Sequence, residues 1–323
     1  MNKSIKNYCL GVDIGGTSVK IGLFSKEGDL IDNWSIPTNT ECSGKYILPE
    51  IAESINEKIN FKNISIEDII GVGIGVPGPV NNNGIVKKCV NLGWPVTDVK
   101  TELETLLNTN VCVGNDANIA ALGEIFKGGG KNFENLVMVT LGTGVGGGII
   151  LDGKILQGSD SAGGEIGHIK INPNETESCG CGNKGCLEQY ASATGIVNIT
   201  KRYLKENKDN NTISTTLKIS DELSCEDIFN AAKDGDLVAL QMVDTVCHLL
   251  GRTLAHIGCI VNPQVFVIGG GMASAGDILI DKIKSYYKEY AFHAAANTKF
   301  NFAELGNDAG IYGGAKLALD LYL

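Results

Sequence analysis

The feature that most narrows the folding options is a pattern that occurs twice. Residues 8–24, YCLGVDIGGTSVKIGLF, read as an apolar strand, a Gly-Gly turn and a second strand. Residues 136–156, LVMVTLGTGVGGGIILDGKIL, repeat this with Gly142, Thr143 and Gly144 in the turn. A third glycine turn, Gly269-Gly270-Gly271, follows the strand residues Val265 to Ile268. One hairpin with a Gly-Gly turn would mean little. A two-fold internal repeat with a further glycine loop implies two related domains. At 323 residues the chain is too long for one ordinary core, which also favours two.

Turns of this kind suit phosphates. Asp13 ends the first strand, Gly15 and Gly16 allow backbone N–H groups to approach an anion, and Thr17 adds a hydroxyl. The paired turns are suited to a nucleotide's phosphates and the third loop to its adenosine. No lysine stands in a Walker-type loop, so P-loop kinase chemistry is not the model.

Between these landmarks, Ile47 to Ile59 is expected as an amphipathic helix and Ile69 to Val76 as a strand ended by Pro77-Gly78-Pro79. Residues 91–95, NLGWP, form a second turn, and Val111 to Val113 a short strand. Asn115-Asp116-Ala117-Asn118 then caps a helix running through Ala120, Ala121 and Glu124. Asp116 has two readings: a helix cap, or a carboxylate at a strand-to-helix edge that takes a proton from a substrate hydroxyl. Further helices are expected over Ala191 to Glu206, Cys225 to Ala232, Leu237 to Ile260 and Ala309 to Leu323, with a polar surface loop over Lys205 to Asp221. His248 and His256 read as packed or partly solvated helix residues, and His293 is assigned no role.

The stretch Gly163 to Gln189 concentrates the chemistry. Cys179, Cys181 and Cys186 follow the pattern C-x-C-x4-C, and His168 lies upstream. Three thiolates and an imidazole are a structural zinc set, closing a tetrahedral shell; the alternative is three buried thiols in a tight loop. Glu165 and Glu188 flank the group. The other seven cysteines are scattered, mostly in apolar segments, which reads as reduced thiols in a cytoplasmic protein. The N-terminus lacks a secretory apolar region, and no uninterrupted apolar run is long enough to span a membrane. A net charge of −10 argues against non-specific nucleic-acid binding.

These residues resemble the ROK family of sugar kinases and sugar-responsive repressors. The resemblance rests on Asp13-Ile-Gly-Gly-Thr17 with Lys20, Gly73-Ile-Gly-Val-Pro-Gly78, Asn115-Asp-Ala-Asn118 with Ala120-Ala-Leu-Gly-Glu124, Leu141-Gly-Thr-Gly144, Gly163-Gly-Glu-Ile-Gly-His168 and Cys179-Gly-Cys-Gly-x-x-Gly-Cys-x-Glu188. It covers essentially the whole chain, and within the family it is strongest toward the bacterial ATP-dependent glucose kinases. It implies an actin-like ATPase (ribonuclease H-like) fold of two α/β domains about a cleft: 1–119 plus 306–323 as a small domain, and 120–305 as a large one carrying the zinc loop. It also implies Asp116 as the catalytic base, Gly78, Asn115, Asp116, Glu165, His168 and Glu188 on the sugar, and Zn2+ held by His168, Cys179, Cys181 and Cys186. ATP would be held through Asp13, Gly15, Gly16, Thr17, Lys20, Thr143, Gly144, Gly270 and Gly271, with Mg2+ on the Asp13 side.

The activity so implied is ATP-dependent phosphorylation of glucose at its 6-hydroxyl, by a homodimer or homotetramer with no nucleic-acid or membrane partner. Alternatives within the family are another hexose or an amino sugar as acceptor (mannose, fructose, N-acetylglucosamine, N-acetylmannosamine), polyphosphate as donor, or a sugar-responsive regulator. A regulator carries a helix-turn-helix ahead of the first strand, where this sequence has about ten residues. A sugar-independent actin-like or chaperone-like ATPase would have no use for the zinc loop and its carboxylates.

Overall fold

The computed structural model describes residues 6–208 and 214–321. The first half contains β1 (Tyr8–Ile14), β2 (Ser18–Ser25), β3 (Leu30–Pro37), the short turn α1 (Glu41–Gly44), α2 (Ile47–Phe61) and β4 (Ile69–Val76). It continues through β5 (Ile85–Val86), β6 (Thr97–Asp98), α3 (Val99–Leu107), β7 (Val111–Asn115) and α4 (Asp116–Lys127). The second half contains β8 (Leu136–Leu141), β9 (Val145–Leu151), β10 (Lys154–Ile155), α5 (Glu188–Ala191), α6 (Ala193–Glu206), α7 (Cys225–Lys233), α8 (Leu237–Val261), β11 (Val265–Gly269), α9 (Asp277–Tyr290), β12 (Lys299–Phe302) and α10 (Ala309–Leu319). Among the described residues, no helix is long and apolar enough to cross a membrane.

The repeat seen in the sequence is a repeat of topology. One sheet has the order β3-β2-β1-β4-β7 and the other β10-β9-β8-β11-β12, so each opens with an antiparallel pair and ends in parallel strands. The first sheet pairs β1 with β2 antiparallel and β1 with β4 and β4 with β7 parallel. In the second, β11 pairs in parallel with both β8 and β12. Parallel strands buried on both faces read as continuous apolar runs, and every residue of β4 and β11 is buried. The core beneath the first sheet joins Leu10, Val12, Val72 and Ile74 to Ile51 and Ile55 of α2.

The helix expected over 191–206 is divided in the structure. Ser192 is extended, and its hydroxyl accepts the Gly195 N–H to cap α6, separating it from α5. The polar stretch 205–221 begins inside α6, and its residues 209–213 lie outside the described residues, as do 322–323 of the expected final helix.

Packing divides the chain into two units, the first drawn from Met1–Asn132, Gly148–Gly164 and Glu304–Leu323 and the second from Phe133–Gly147 and Glu165–Ala303. A boundary at residue 119 would cut α4. Instead α4 lies whole against α10, so closely that a Cβ on Gly313 would stand 1.7 Å from the Ile119 carbonyl oxygen. A Cβ on Gly73 of β4 would likewise stand 1.9 Å from the Gly314 oxygen, so glycine on either side is what lets α10 seat on sheet and helix together.

Glu124 fixes this arrangement. Its side chain is fully buried, and its carboxylate accepts N–H groups from Gly129 (2.8 Å), Glu304 (3.0 Å) and Leu305 (2.9 Å). One carboxylate thereby ties the end of α4 to the segment that leads into α10. Glu124→Ala leaves one buried and two part-buried donors without their acceptor and is expected to cost about 2–4 kcal/mol in urea denaturation, with Glu124→Gln recovering part of it. A loss under about 0.5 kcal/mol would contradict this role.

Candidate functional site

In the first unit, the parallel strands bring the predicted residues to one end of the sheet. Asp13 stands opposite Gly75 across β1 and β4, and Val76 opposite Asn115 across β4 and β7. The carboxyl ends of parallel strands are where α/β folds place ligands. Here that end carries Asp13, the Pro77–Gly78 turn and the Asn115–Asp116 pair. Asn115, not Asp116, is the N-cap of α4, its Oδ1 accepting the N–H groups of Ala117 (3.0 Å) and Asn118 (3.3 Å). Its amide donates to the Gly78 carbonyl (3.2 Å) and to Asp116 Oδ1 (2.9 Å), so one side chain joins the proline turn to the candidate base. Asp116 Oδ1 also accepts the Ala117 N–H (2.8 Å).

Burial and then the Asp116 charge push the Asp13 carboxyl up to about 6, against the opposing pull of Lys20. Lys20 faces Asp13 across the β1–β2 ladder. Its ammonium donates to the Asn307 carbonyl (2.7 Å) and reaches Asp308 (3.4 Å), so the structure directs it to the segment before α10. The turn beyond Asp13 is closed by Gly15 N–H to the Ser18 carbonyl (3.0 Å) and leaves Gly16 and Thr17 exposed.

In the second unit, Gly269 pairs with Thr140 across β11 and β8, setting the third glycine loop beside the Gly142–Gly144 turn. Gly270 has φ +83°, and a Cβ there would lie 2.4 Å from the Leu141 carbonyl, so both conformation and space demand glycine. The two loops border one cavity of about 650 Å3, whose lining includes Gly142, Thr143, Gly271, Phe229, Asn230 and Lys233. That size suits a nucleotide-scale ligand. The α7 contributors, Phe229, Asn230 and Lys233, were not foreseen: an amphipathic helix carries no mark of what its polar side will border.

The cysteine loop converges as expected. One ligand atom each from His168, Cys179, Cys181 and Cys186 lies within 4.8 Å of all the others. Cys181 and Cys186 Sγ are 3.7 Å apart, and Cys179 Sγ is 3.8 Å from His168 Nδ1. A tetrahedron with metal–sulfur bonds of about 2.3 Å has edges of about 3.8 Å, so the set fits zinc. Nδ1 faces the sulfurs, while Nε2 lies 3.9 Å from Glu165 Oε2. Loop polar groups are otherwise occupied: Cys179 N–H donates to Asn183, and Gln189 Oε1 accepts the N–H groups of Gly185 and Cys186.

A second fastening holds α5. Glu175 is buried, accepts the Tyr190 hydroxyl, pairs with Arg202 at 3.2 Å and accepts the Thr176 and Glu177 N–H groups. These hydrogen bonds, Tyr190's first, hold its carboxyl down to about 2. Glu188, on the same helix, accepts the Val145 N–H at 3.0 Å.

Comparison with known proteins follows this geometry. The sequence profile of the ROK family matches residues 9–321. The chain is similar to a glucokinase of Halalkalibacterium halodurans, 41% identical over 96% of this chain and 94% of that one. It is similar also to a glucokinase of Thermotoga maritima, 35% identical over 95% of this chain and 96% of the relative. A crystal structure of a ROK family glucokinase from Streptomyces griseus, in complex with glucose and AMPPNP, superposes with a TM-score of 0.70 at 30% identity, covering 96% of this chain and 98% of the other.

Proposed function

Because the chain belongs to the ROK family and has its actin-like ATPase fold, we propose that it is an ATP-dependent glucokinase, transferring the γ-phosphoryl group of ATP to the 6-hydroxyl of glucose. The observation that carries this reading is the 41% identity to a glucokinase across nearly the whole chain.

A sugar hydroxyl is a weak nucleophile near neutral pH, so a carboxylate must take its proton as the bond to phosphorus forms. Asp116 has that role, on a helix start that Asn115 caps. Glucose is neutral and covered with hydroxyls. Asn115, Glu165, His168 and Glu188 supply fixed donors and acceptors for them, and Gly78 lines the sugar side through the turn that Asn115 holds. The turns at Gly15, Gly16 and Thr17 and at Thr143 and Gly144 receive phosphates, and the adenosine lies along the loop of Gly270 and Gly271; Thr143 and Gly271 line the cavity that supports this.

Magnesium neutralises phosphate charge when bound, and Asp13 would hold it through water, since magnesium keeps its hydration shell. Lys20 acts on that side by drawing the Asp13 carboxyl down toward its ionised form. Zinc in the His168, Cys179, Cys181 and Cys186 set would be structural, because four protein ligands leave no open position. With Nδ1 on the ion, His168 Nε2, beside Glu165, would remain for a sugar hydroxyl.

A coupled ADP-release assay with ATP as donor over glucose, mannose, fructose, N-acetylglucosamine and N-acetylmannosamine, with sugar-phosphate formation measured in parallel when polyphosphate is the donor, tests the reading. The highest kcat/KM is expected with glucose and ATP. A higher value for another sugar would reassign the acceptor, and turnover without sugar would remove the kinase reading.

A further inference from the structure

The phosphate turn Gly142–Gly144 is anchored at both ends by one short segment. Ahead of it, the Gly142 carbonyl accepts the Ala193 N–H at 2.8 Å. Behind it, the Val145 N–H donates to Glu188 Oε2 at 3.0 Å. The carboxylate also lies over the turn itself, where a Cβ on Gly144 would stand 2.2 Å from Oε2. Within the turn, Gly142 N–H donates to the Gly144 carbonyl (3.0 Å), so the turn closes on itself and the outer contacts join it to this segment. Glu188 and Ala193 are themselves coupled, since Ser192 between them donates its hydroxyl to the Glu188 carbonyl at 2.7 Å.

This segment starts where the cysteine loop ends. Cys186 is two residues before Glu188, and Glu188 Oε1 lies 3.6 Å from Cys179 Sγ. The carboxylate therefore holds the phosphate turn with one oxygen and accepts the Cys179 thiol with the other; a metal-bound Cys179, being a thiolate, would no longer donate, so occupancy changes what Glu188 meets. We infer that Glu188 is a positioning residue for the nucleotide, through which metal occupancy of the cysteine loop sets affinity for the phosphates of ATP as well as for the sugar. The inference rests on the kinase reading above and adds to it a link within the second unit between the metal loop and the phosphate turn.

Binding measured by calorimetry on the full chain without sugar separates the possibilities. The probes are Mg2+·AMPPNP, which uses the phosphate turn, and adenosine, which does not. In the zinc-loaded protein, Glu188→Ala is expected to weaken AMPPNP about tenfold or more with adenosine affinity unchanged. Glu188→Gln, which keeps an oxygen for the Val145 N–H, restores AMPPNP affinity. Chelator-stripped wild type shows a similar selective loss, and stripping Glu188→Ala adds little, because both changes act through one contact.

The link is overturned if zinc-loaded Glu188→Ala binds AMPPNP within about twofold of wild type, or if the two losses simply add. It is also overturned if adenosine and AMPPNP weaken alike, which is general damage to the unit. Should stripped protein not fold, the zinc-loaded variants with the adenosine control decide the matter. Zinc-loaded wild type that binds neither probe would remove the kinase reading itself; AMPPNP binding that ignores Glu188 removes only the link.

Discussion

Asp116→Asn is expected to lower glucose-dependent ADP release by about 10²–10⁴-fold, the range a general base contributes, with the fold intact. The substitution keeps the side chain's size and an oxygen for the Ala117 N–H. The helix start does not rest on Asp116, because the Asn115 side chain supplies the cap. KM for glucose should change far less than kcat, since what is lost is proton transfer as the phosphoryl group moves. A variant with near-normal kcat would take Asp116 out of the mechanism.

The same variant has a spectroscopic signature. Burial, then the Asp116 charge, raises the Asp13 carboxyl to about 6. A folded-state value above the free one means that the native protein holds this proton more tightly. Asp13 therefore contributes stability at low pH, which is lost as pH rises from about 4 to about 6. Removing the Asp116 charge moves the midpoint down, visible in an NMR titration of the Asp13 carboxyl carbon. An unmoved midpoint would mean that the Asp116 charge does not contribute to it.

Cys186→Ser is expected to abolish zinc uptake and to lower kcat/KM for glucose about 100-fold, mainly through KM. Cys186 is fully buried, and its sulfur stands 3.7 Å from that of Cys181. Backbone hydrogen bonds already join the two arms of the loop, Ile171 N–H to Gly185 (2.7 Å) and Leu187 N–H to Ile169 (2.9 Å). These hold the loop's outline without the ion, so far-UV circular dichroism should be nearly unchanged. They do not fix the His168 ring, whose Nδ1 faces the sulfurs. Without the ion His168 and Glu165 are free to swing, and the hydroxyl ligands lose their positions. A metal-free Cys186→Ser protein with wild-type KM for glucose would show that the loop holds its shape unaided.

Local pattern was enough where the chemistry is local. The strand–turn–strand repeat appears as two sheets of equivalent strand order, and Ile69 to Val76, read as a strand ended by Pro77-Gly78-Pro79, is β4 residue for residue. The C-x-C-x4-C spacing with His168 was sufficient for a convergent ligand set, because glycine-rich turns leave three nearby cysteines few other arrangements. That these four residues could close on one metal ion needed no tertiary information beyond that.

Other features depend on partners far away in the chain, and no local pattern carries them. Glu124 looks like one more helix carboxylate until the N–H groups of Glu304 and Leu305 are found on it. Lys20, grouped by sequence with the phosphate turn, turns to Asn307 and Asp308. Phe229, Asn230 and Lys233 join the cavity beside Gly142 and Gly271 only because α7 packs there. The cysteine loop itself divides along this line: spacing settled that four ligands could close on an ion. That Glu188 reaches from this loop to Val145 is a matter of packing, since a hydrogen bond across 43 residues depends on the relative placement of α5 and β9, which no short-range propensity specifies.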